Sequence, residues 1–201
     1  MQEDIRNISF KTFAKLCYYP DSKLVSLLFD DVITQFLTAL KIENGNINQL
    51  ASWLKTFKSK EELLETLQVE YTHLFITSFP SIHAPMFKSF YYEKEILGTS
   101  TEKIMDIYES FNFHVSDDMT EPPDNLAIML EFVYRLSELE NTYKDQILFI
   151  QNEILSWIEK LEQKINSNAE IPFYPLIINT IINYLKSDVT QYEIKLAGAK
   201  L

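Results

Sequence analysis

Two groups of residues in this sequence have types and spacing that could bind a ligand. Glu121 and Asp124 lie in the run EPPDN, in which two prolines stiffen the chain directly before the apolar run LAIMLEFVYRL. Glu70 and His73 are three residues apart, so a helix would place both on one face, as in di-iron bundle proteins. The first group could bind a cationic group, and the second could bind a metal ion.

The rest of the sequence lacks the partners that catalysis or metal binding would need. A di-iron site requires a second Glu-x-x-His pair and two further carboxylates, and neither His83 nor His114 follows a glutamate at that spacing. Cys17 has two tyrosines after it and no basic residue directly beside it, which predicts a small core residue and not a nucleophile. Glycine motifs that bind phosphate or expose a nucleophile are absent. We therefore predict that the protein is not an enzyme and has no metal or cofactor.

Helices must position these residues, because apolar side chains recur at helical spacing along nearly the whole chain. Only three of the 201 residues are glycine, which disfavours a fold rich in tight hairpins. We predict an all-α fold, a single-domain bundle of about nine to eleven helices over residues 1–201, with a possible hinge at 113–123. The predicted helices cover residues 4–18, 22–42, 46–57, 60–77, 87–97, 99–111, 124–140, 142–166 and 172–187, and the tail 193–201 is predicted to fray.

Composition and charge limit the compartment and the partners. The formal net charge is −11, from 29 acidic and 18 basic residues, so the surface should repel nucleic acid and anionic lipid and favour a basic partner. One cysteine excludes an intramolecular disulfide framework and agrees with a reducing compartment. No stretch reads as a signal peptide or a membrane span. We therefore predict a cytoplasmic protein without nucleic-acid binding or stable membrane insertion.

Several short stretches share their order and spacing with the motifs of one protein family, over roughly residues 60–185. YTHLF at 71–75 fits aromatic-x-x-Leu-Phe, PMFKSFY at 85–91 fits a degenerate Pro-Pro-Tyr-Glu-Ser-Val-Tyr, and EPPDN at 121–125 fits Glu-Pro-x-Asp-His. LEF at 130–132 and PFY at 172–174 complete the series. The chain resembles the TorD/DmsD family of redox-enzyme maturation chaperones.

The chain departs from these motifs at several positions. Met86, Phe87, Lys88 and Phe90 differ from the second motif, and Asn125 stands where the third has histidine. Asparagine can donate and accept hydrogen bonds but cannot become a cation near neutral pH. We therefore expect the affinity for a peptide to vary little between about pH 5.5 and 7.5.

The resemblance implies a chaperone that binds the twin-arginine signal peptide of a molybdenum-cofactor oxidoreductase. Such a chaperone assists cofactor insertion into the apo-form of the catalytic subunit and delays its export. The family includes monomers and domain-swapped dimers, so both remain open here. An alternative is a helical adaptor that binds another region of a redox-enzyme subunit without recognising the leader.

A receptor for a twin-arginine peptide needs carboxylates beside an apolar groove, because two guanidinium groups precede an apolar segment. Glu121 and Asp124 can supply the carboxylates. The full set of predicted peptide-binding residues is Tyr71, Phe75, Phe87, Ser89, Tyr91, Glu121, Asp124, Asn125, Met129 and Phe132. A structural alternative stays open, in which Asp124 caps a helix and most of the aromatic residues belong to the core.

Overall fold

All regular secondary structure in the described part of the chain is helical. The computed structural model describes residues 2–42, 46–77, 81–94, 97–115 and 121–198. The α-helices in these ranges are α1 (Gln2–Cys17), α2 (Ser22–Phe29), α3 (Val32–Ala39), α4 (Ile47–Leu54), α5 (Lys60–Tyr71), α6 (Lys88–Glu93), α7 (Thr99–Ser110), α8 (Leu126–Ser137), α9 (Tyr143–Phe149), α10 (Ile158–Asn168) and α11 (Phe173–Gly198). Two turns of π-helix, Thr72–Ile76 and Ile150–Ile154, follow α5 and α9. The predicted all-α class and helix number are confirmed.

The chain groups into two compact units. The first unit comprises Met1–Cys17, Met86–Lys160 and Asp188–Leu201, and the second comprises Tyr18–Pro85 and Leu161–Ser187. Within the first unit α1 packs along α8, and α6 packs on α7; within the second, α2 packs on α5 and α3. The prediction of a single domain with a hinge at 113–123 stays a prediction, and residues 116–120 of that hinge lie outside the described residues.

Helix α8 forms the centre of the first unit because its sequence is apolar nearly all round. Eight of its twelve residues are buried, among them Met129 and Phe132. Phe132 belongs to an aromatic cluster, with ring centroids 4.6 Å from Tyr108, 5.2 Å from Phe113 and 4.7 Å from Phe149. Rings at these separations contribute attraction beyond their buried area, so this cluster stabilises α8 against its neighbours.

Several predicted helix boundaries were wrong, for local reasons. The predicted helix 22–42 is divided at Asp31, whose φ of 59° lies in the left-handed region that aspartate tolerates better than most residues. The predicted helix 142–166 is interrupted by the second π-helical turn. The tail remains helical to Gly198, since its leucine, lysine and alanine are good helix formers.

No helix in the described residues is long and apolar enough to cross a membrane.

Candidate functional site

The run EPPDN folds into a turn that starts α8, and we call residues 121–125 the acidic corner. The backbone N–H of Asn125 donates to the carbonyl oxygen of Pro122 at 2.9 Å, which closes the turn. Asn125 is also the N-cap of α8, because its side-chain Oδ1 accepts from the backbone N–H of Ala127 at 2.9 Å. Its Nδ2 donates to Glu121 Oε2 at 3.1 Å. The alternative in which Asp124 caps this helix was therefore wrong, and the asparagine that departs from the family pattern performs the capping.

The acidic corner is joined to the stretch 85–91 by backbone hydrogen bonds. Leu126 N–H donates to the Met86 carbonyl at 2.8 Å, and Lys88 N–H donates to the Asp124 carbonyl at 3.1 Å. Phe87 and Asn125 form an antiparallel β-bridge between these two bonds. Residues 86–91 of one sequence motif and the acidic corner thus form one structural element of the first unit.

Asp124 holds the first turn of α6. Its side chain is fully buried, and Oδ2 accepts from the backbone N–H of Ser89 at 2.6 Å. Among the described residues, neither Asp124 Oδ1 nor the hydroxyl of buried Ser89 has a hydrogen-bond partner. A buried carboxylate oxygen without a donor is energetically unfavourable, so this position favours a ligand group that can donate a hydrogen bond.

Tyr91 on α6 contacts the segment 155–157, which follows the second π-helical turn. The ring of Tyr91 stacks on that of Trp157, with centroids 5.3 Å apart and an interplanar angle of 28°. Burial raises the pKa of Tyr91 well above its ordinary value, so the phenol stays neutral and able to donate at physiological pH. Its hydroxyl has no hydrogen-bond partner in the described part of the chain.

A buried ion-pair cluster lies at the start of α6. Lys88 and Lys103 both donate to the carboxylate of Glu153, Lys103 at 2.6 Å. Lys88 and Glu153 are buried, whereas the side chain of Lys103 is 61% exposed. Burial alone would raise the pKa of Glu153, but the hydrogen bonds from Lys103 and Lys88 outweigh it and lower the pKa below its ordinary value. This cluster was not predicted from the sequence; the clues were a lysine within the aromatic run FKSFYY and a glutamate directly before the apolar pair Ile-Leu in NEILSW.

The motif YTHLF lies in the second unit and packs on the beginning of α11. Tyr71 and Phe75 lie with ring centroids 6.0 and 5.0 Å from that of Tyr174. Phe75 belongs to the first π-helical turn, closed by a 2.9 Å bond from Thr77 N–H to the Thr72 carbonyl. YTHLF and PFY therefore form one packed cluster, as the two motifs of the first unit do.

The Glu70 and His73 pair stabilises the same region of the second unit. Glu70 Oε1 accepts from the backbone N–H groups of Glu170 at 2.8 Å and Ile171 at 3.4 Å, and His73 Nε2 lies 3.1 Å from the Asn168 carbonyl oxygen. Burial raises the pKa of Glu70, and the backbone hydrogen bonds offset only part of that rise. In the described ranges, no group of three or more His, Cys, Asp or Glu side chains is arranged to hold a metal ion. Glu70 and His73 thus have a local role in holding the turn before α11.

The predicted peptide-binding residues are divided between the two units. Tyr71 and Phe75 lie in the second unit and the other eight in the first. Glu121 and Tyr91 are half-buried, and the remaining eight are buried. The structure brings the segments of Phe87 and Ser89 into contact with those of Asp124 and Asn125. Met129 and Phe132 are buried on α8 in the core of the first unit. Their assignment as peptide contacts stays a prediction.

Known proteins similar to this chain include chaperones. Chaperone protein TorD of Vibrio atlanticus is 27% identical over 175 residues, which cover 80% of each protein. Chaperone protein TorD of Aliivibrio salmonicida is 24% identical over 172 residues, 78% of this chain and 80% of that protein. The crystal structure of a redox enzyme maturation protein from Archaeoglobus fulgidus has the same fold, with a TM-score of 0.59 at 22% identity over 90% of this chain and 93% of that one.

The similarity to these chaperones and the family match below define the class of the protein as a redox-enzyme maturation chaperone, a class that is not catalytic. A family model described as nitrate reductase delta subunit matches residues 39–163, which is more than half of the chain. The chain belongs to the nitrate reductase delta subunit family. The resemblance inferred from the motifs is confirmed, and the matched residues include the stretches 71–75, 85–91 and 121–125.

Proposed function

We propose that this chaperone works in the cytoplasm on a molybdenum-cofactor oxidoreductase and binds its twin-arginine signal peptide. By holding the peptide it would delay export while the cofactor is inserted into the apo-form of the catalytic subunit. Membership of a chaperone family and the resemblance to the TorD/DmsD motifs support the client class. The net charge of −11 also favours encounter with a basic peptide.

The observation that carries this proposal is the pair of carboxylates in the acidic corner. Asp124 Oδ1 is buried without a donor among the described residues, and Glu121 is half-buried in the same turn. A guanidinium group presents several N–H donors in a rigid fork that matches carboxylate oxygens. Glu121 would make the first contact, and Asp124 would be reached when the turn opens locally.

A binding experiment with isosteric variants tests the proposal. The probe is a synthetic peptide with two consecutive arginines before an apolar segment, and the control peptide has alanines in place of both arginines. Glu121→Gln and Asp124→Asn should each weaken binding about tenfold or more, since a hydrogen bond to a charged group contributes roughly 1.5–3 kcal/mol. Glu102→Gln, an exposed carboxylate on α7, is the matched control and should bind as the wild type does. Equal binding of the two peptides by the wild-type protein would refute leader recognition.

A second candidate is the adaptor that binds another region of a redox-enzyme subunit. It is favoured by the burial of most predicted peptide-binding residues and by a surface cleft of about 550 Å³ beside α8 in the first unit. More than half of the residues that line this cleft are apolar, among them Phe111, Phe113 and Leu139. Binding of the whole client subunit, with and without the two leader arginines, separates the two candidates. An adaptor would bind the subunit equally well after both arginines are changed to alanine, whereas a leader-binding chaperone would lose affinity.

A further inference from the structure

Helix α6 connects the acidic corner to the segment that follows the second π-helical turn. At its first turn, Lys88 and Ser89 donate their backbone N–H groups to Asp124, at 3.1 and 2.6 Å. Further along α6, Tyr91 stacks on Trp157, and the Tyr92 hydroxyl donates to the Ser156 carbonyl oxygen at 3.2 Å. The position of α6 relative to Asp124 therefore depends on residues far away in the sequence.

Lys88 is the residue at which both connections meet. Its backbone N–H binds the acidic corner, and its buried ammonium group binds the carboxylate of Glu153, 65 residues further along the chain. Glu153 belongs to the second π-helical turn, and its backbone carbonyl accepts from the indole N–H of Trp157 at 2.8 Å. Interruptions of this kind in a helix frequently occur at functional positions. The buried ion pair thus links an irregular turn of the backbone to the proposed binding site.

Glu153 has two cationic partners, although one would be enough to pair its buried charge. Two ammonium groups share one buried carboxylate, so removing Lys88 would still leave Glu153 paired with Lys103. Buried ion pairs add little net stability compared with apolar residues of similar size, but they can specify one geometry. The geometry specified here is the placement of Lys88 and Ser89 against Asp124.

We propose that Lys88 and Glu153 are positioning residues that fix the geometry of the acidic corner for peptide binding. The ion pair holds the first turn of α6 so that Ser89 N–H stays on Asp124 Oδ2 and Oδ1 keeps no donor from the described residues. A donor from the ligand can then reach Oδ1 when the turn of the acidic corner opens. The effect of this ion pair on peptide affinity rests on the proposed function, whereas its effect on the geometry of the acidic corner does not. Lys88 is also one of the positions at which this chain departs from the motif that it resembles.

Amide hydrogen exchange tests the geometric part without any ligand. Lys88→Met keeps the apolar stem of the side chain and removes only the ammonium group, so the Ser89 amide should exchange about tenfold faster, equivalent to ~1.4 kcal/mol. Lys160→Met is the matched control. The Nζ of Lys160 lies 5.0 Å from the centroid of the same Tyr92 ring that Lys88 approaches, but in the described residues the cations bound to Glu153 are Lys88 and Lys103. Exchange of the Ser89 amide that is unchanged, or that rises equally with every amide of the first unit, would overturn the proposal.

Peptide binding tests the functional part. With the two-arginine peptide, Lys88→Met and Glu153→Gln should each lose about tenfold in affinity relative to Lys160→Met, at an unchanged far-ultraviolet circular dichroism spectrum. The exchange of both charges, Lys88→Glu with Glu153→Lys, should recover most of the loss of Lys88→Glu alone, which a nonspecific packing defect would not do. If the wild type binds the peptide and Lys88→Met binds it equally, the positioning role is wrong and the proposed function stands. If the wild type does not bind, the proposed function fails and the exchange rates alone decide the positioning role.

Discussion

Removing the carboxylate of Asp124 should destabilise the protein strongly, because the group is buried and holds a buried backbone donor. In Asp124→Ala, the Ser89 N–H loses its 2.6 Å acceptor and remains buried. A hydrogen bond to a charged group contributes roughly 1.5–3 kcal/mol, and an unsatisfied buried donor costs about 1–3 kcal/mol. Because these two quantities overlap, we expect a loss of about 2–4 kcal/mol in the free energy of unfolding.

Urea unfolding followed by circular dichroism measures this loss. Asp106→Ala on α7 is the matched control, since Asp106 is exposed and the change in side chain is the same; its effect should stay within about 0.5 kcal/mol. Asp124→Asn should lose less than Asp124→Ala, because an amide oxygen can still accept from Ser89. A loss for Asp124→Ala no larger than that of the control would refute the interpretation that this carboxylate stabilises the start of α6.

Three further predictions concern other residues. Asn125→Ala should cost about 1 kcal/mol in urea unfolding through loss of the α8 N-cap, and Asn125→Ser, a good N-cap that places no second carboxylate beside Glu121, should restore most of it; equal stability of the two variants would contradict the capping role. Because burial raises the pKa of Glu70, the ionised form is disfavoured in the folded state, and stability should fall as the pH rises from 4.5 through the raised value. Glu70→Gln should therefore be at least as stable as the wild type at pH 7, and this advantage should shrink as the pH falls towards the ordinary glutamate pKa of 4.5. If the stability of the variant relative to the wild type is instead lower at pH 7 than at pH 4.5, the direction of the pKa shift is wrong. Burial raises the pKa of the Cys17 thiol to about 12, so a thiol reagent at neutral pH should modify Cys17 in denaturant but not in the native protein, and rapid native labelling would disprove its burial.

The sequence was sufficient for the helical class and for the position of the acidic corner. Apolar spacing identified α8, and two prolines before it marked the turn, because both signals depend on residues close together in the chain. The same reasoning named Asp124 as the possible N-cap, whereas the N-cap in the structure is Asn125. Both residue types are good N-caps. In the structure the Asp124 carboxylate accepts from the backbone N–H of Ser89 on α6, so Asn125 is the residue that caps α8.

The candidate site was predicted only in part, because its remaining contacts join distant segments. The ion pair between Lys88 and Glu153 spans 65 residues, and no local pattern relates the two. Met129 and Phe132 were candidates to line the groove that the family resemblance implies, yet both are fully buried. Periodicity shows which face of a helix is apolar, but it does not show whether a partner or the protein's own aromatic cluster covers that face.

The central claim is that the acidic corner contacts the arginines of the leader, and photo-crosslinking tests this contact most directly. A leader peptide that carries a photoreactive residue beside its two arginines would be irradiated with the wild-type protein, and the attachment sites would be mapped by mass spectrometry. The account predicts attachment within residues 121–125 or at the start of α6, and loss of that product in competition with the unlabelled two-arginine peptide. Attachment confined to other parts of the chain, such as the cleft beside α8, would contradict it.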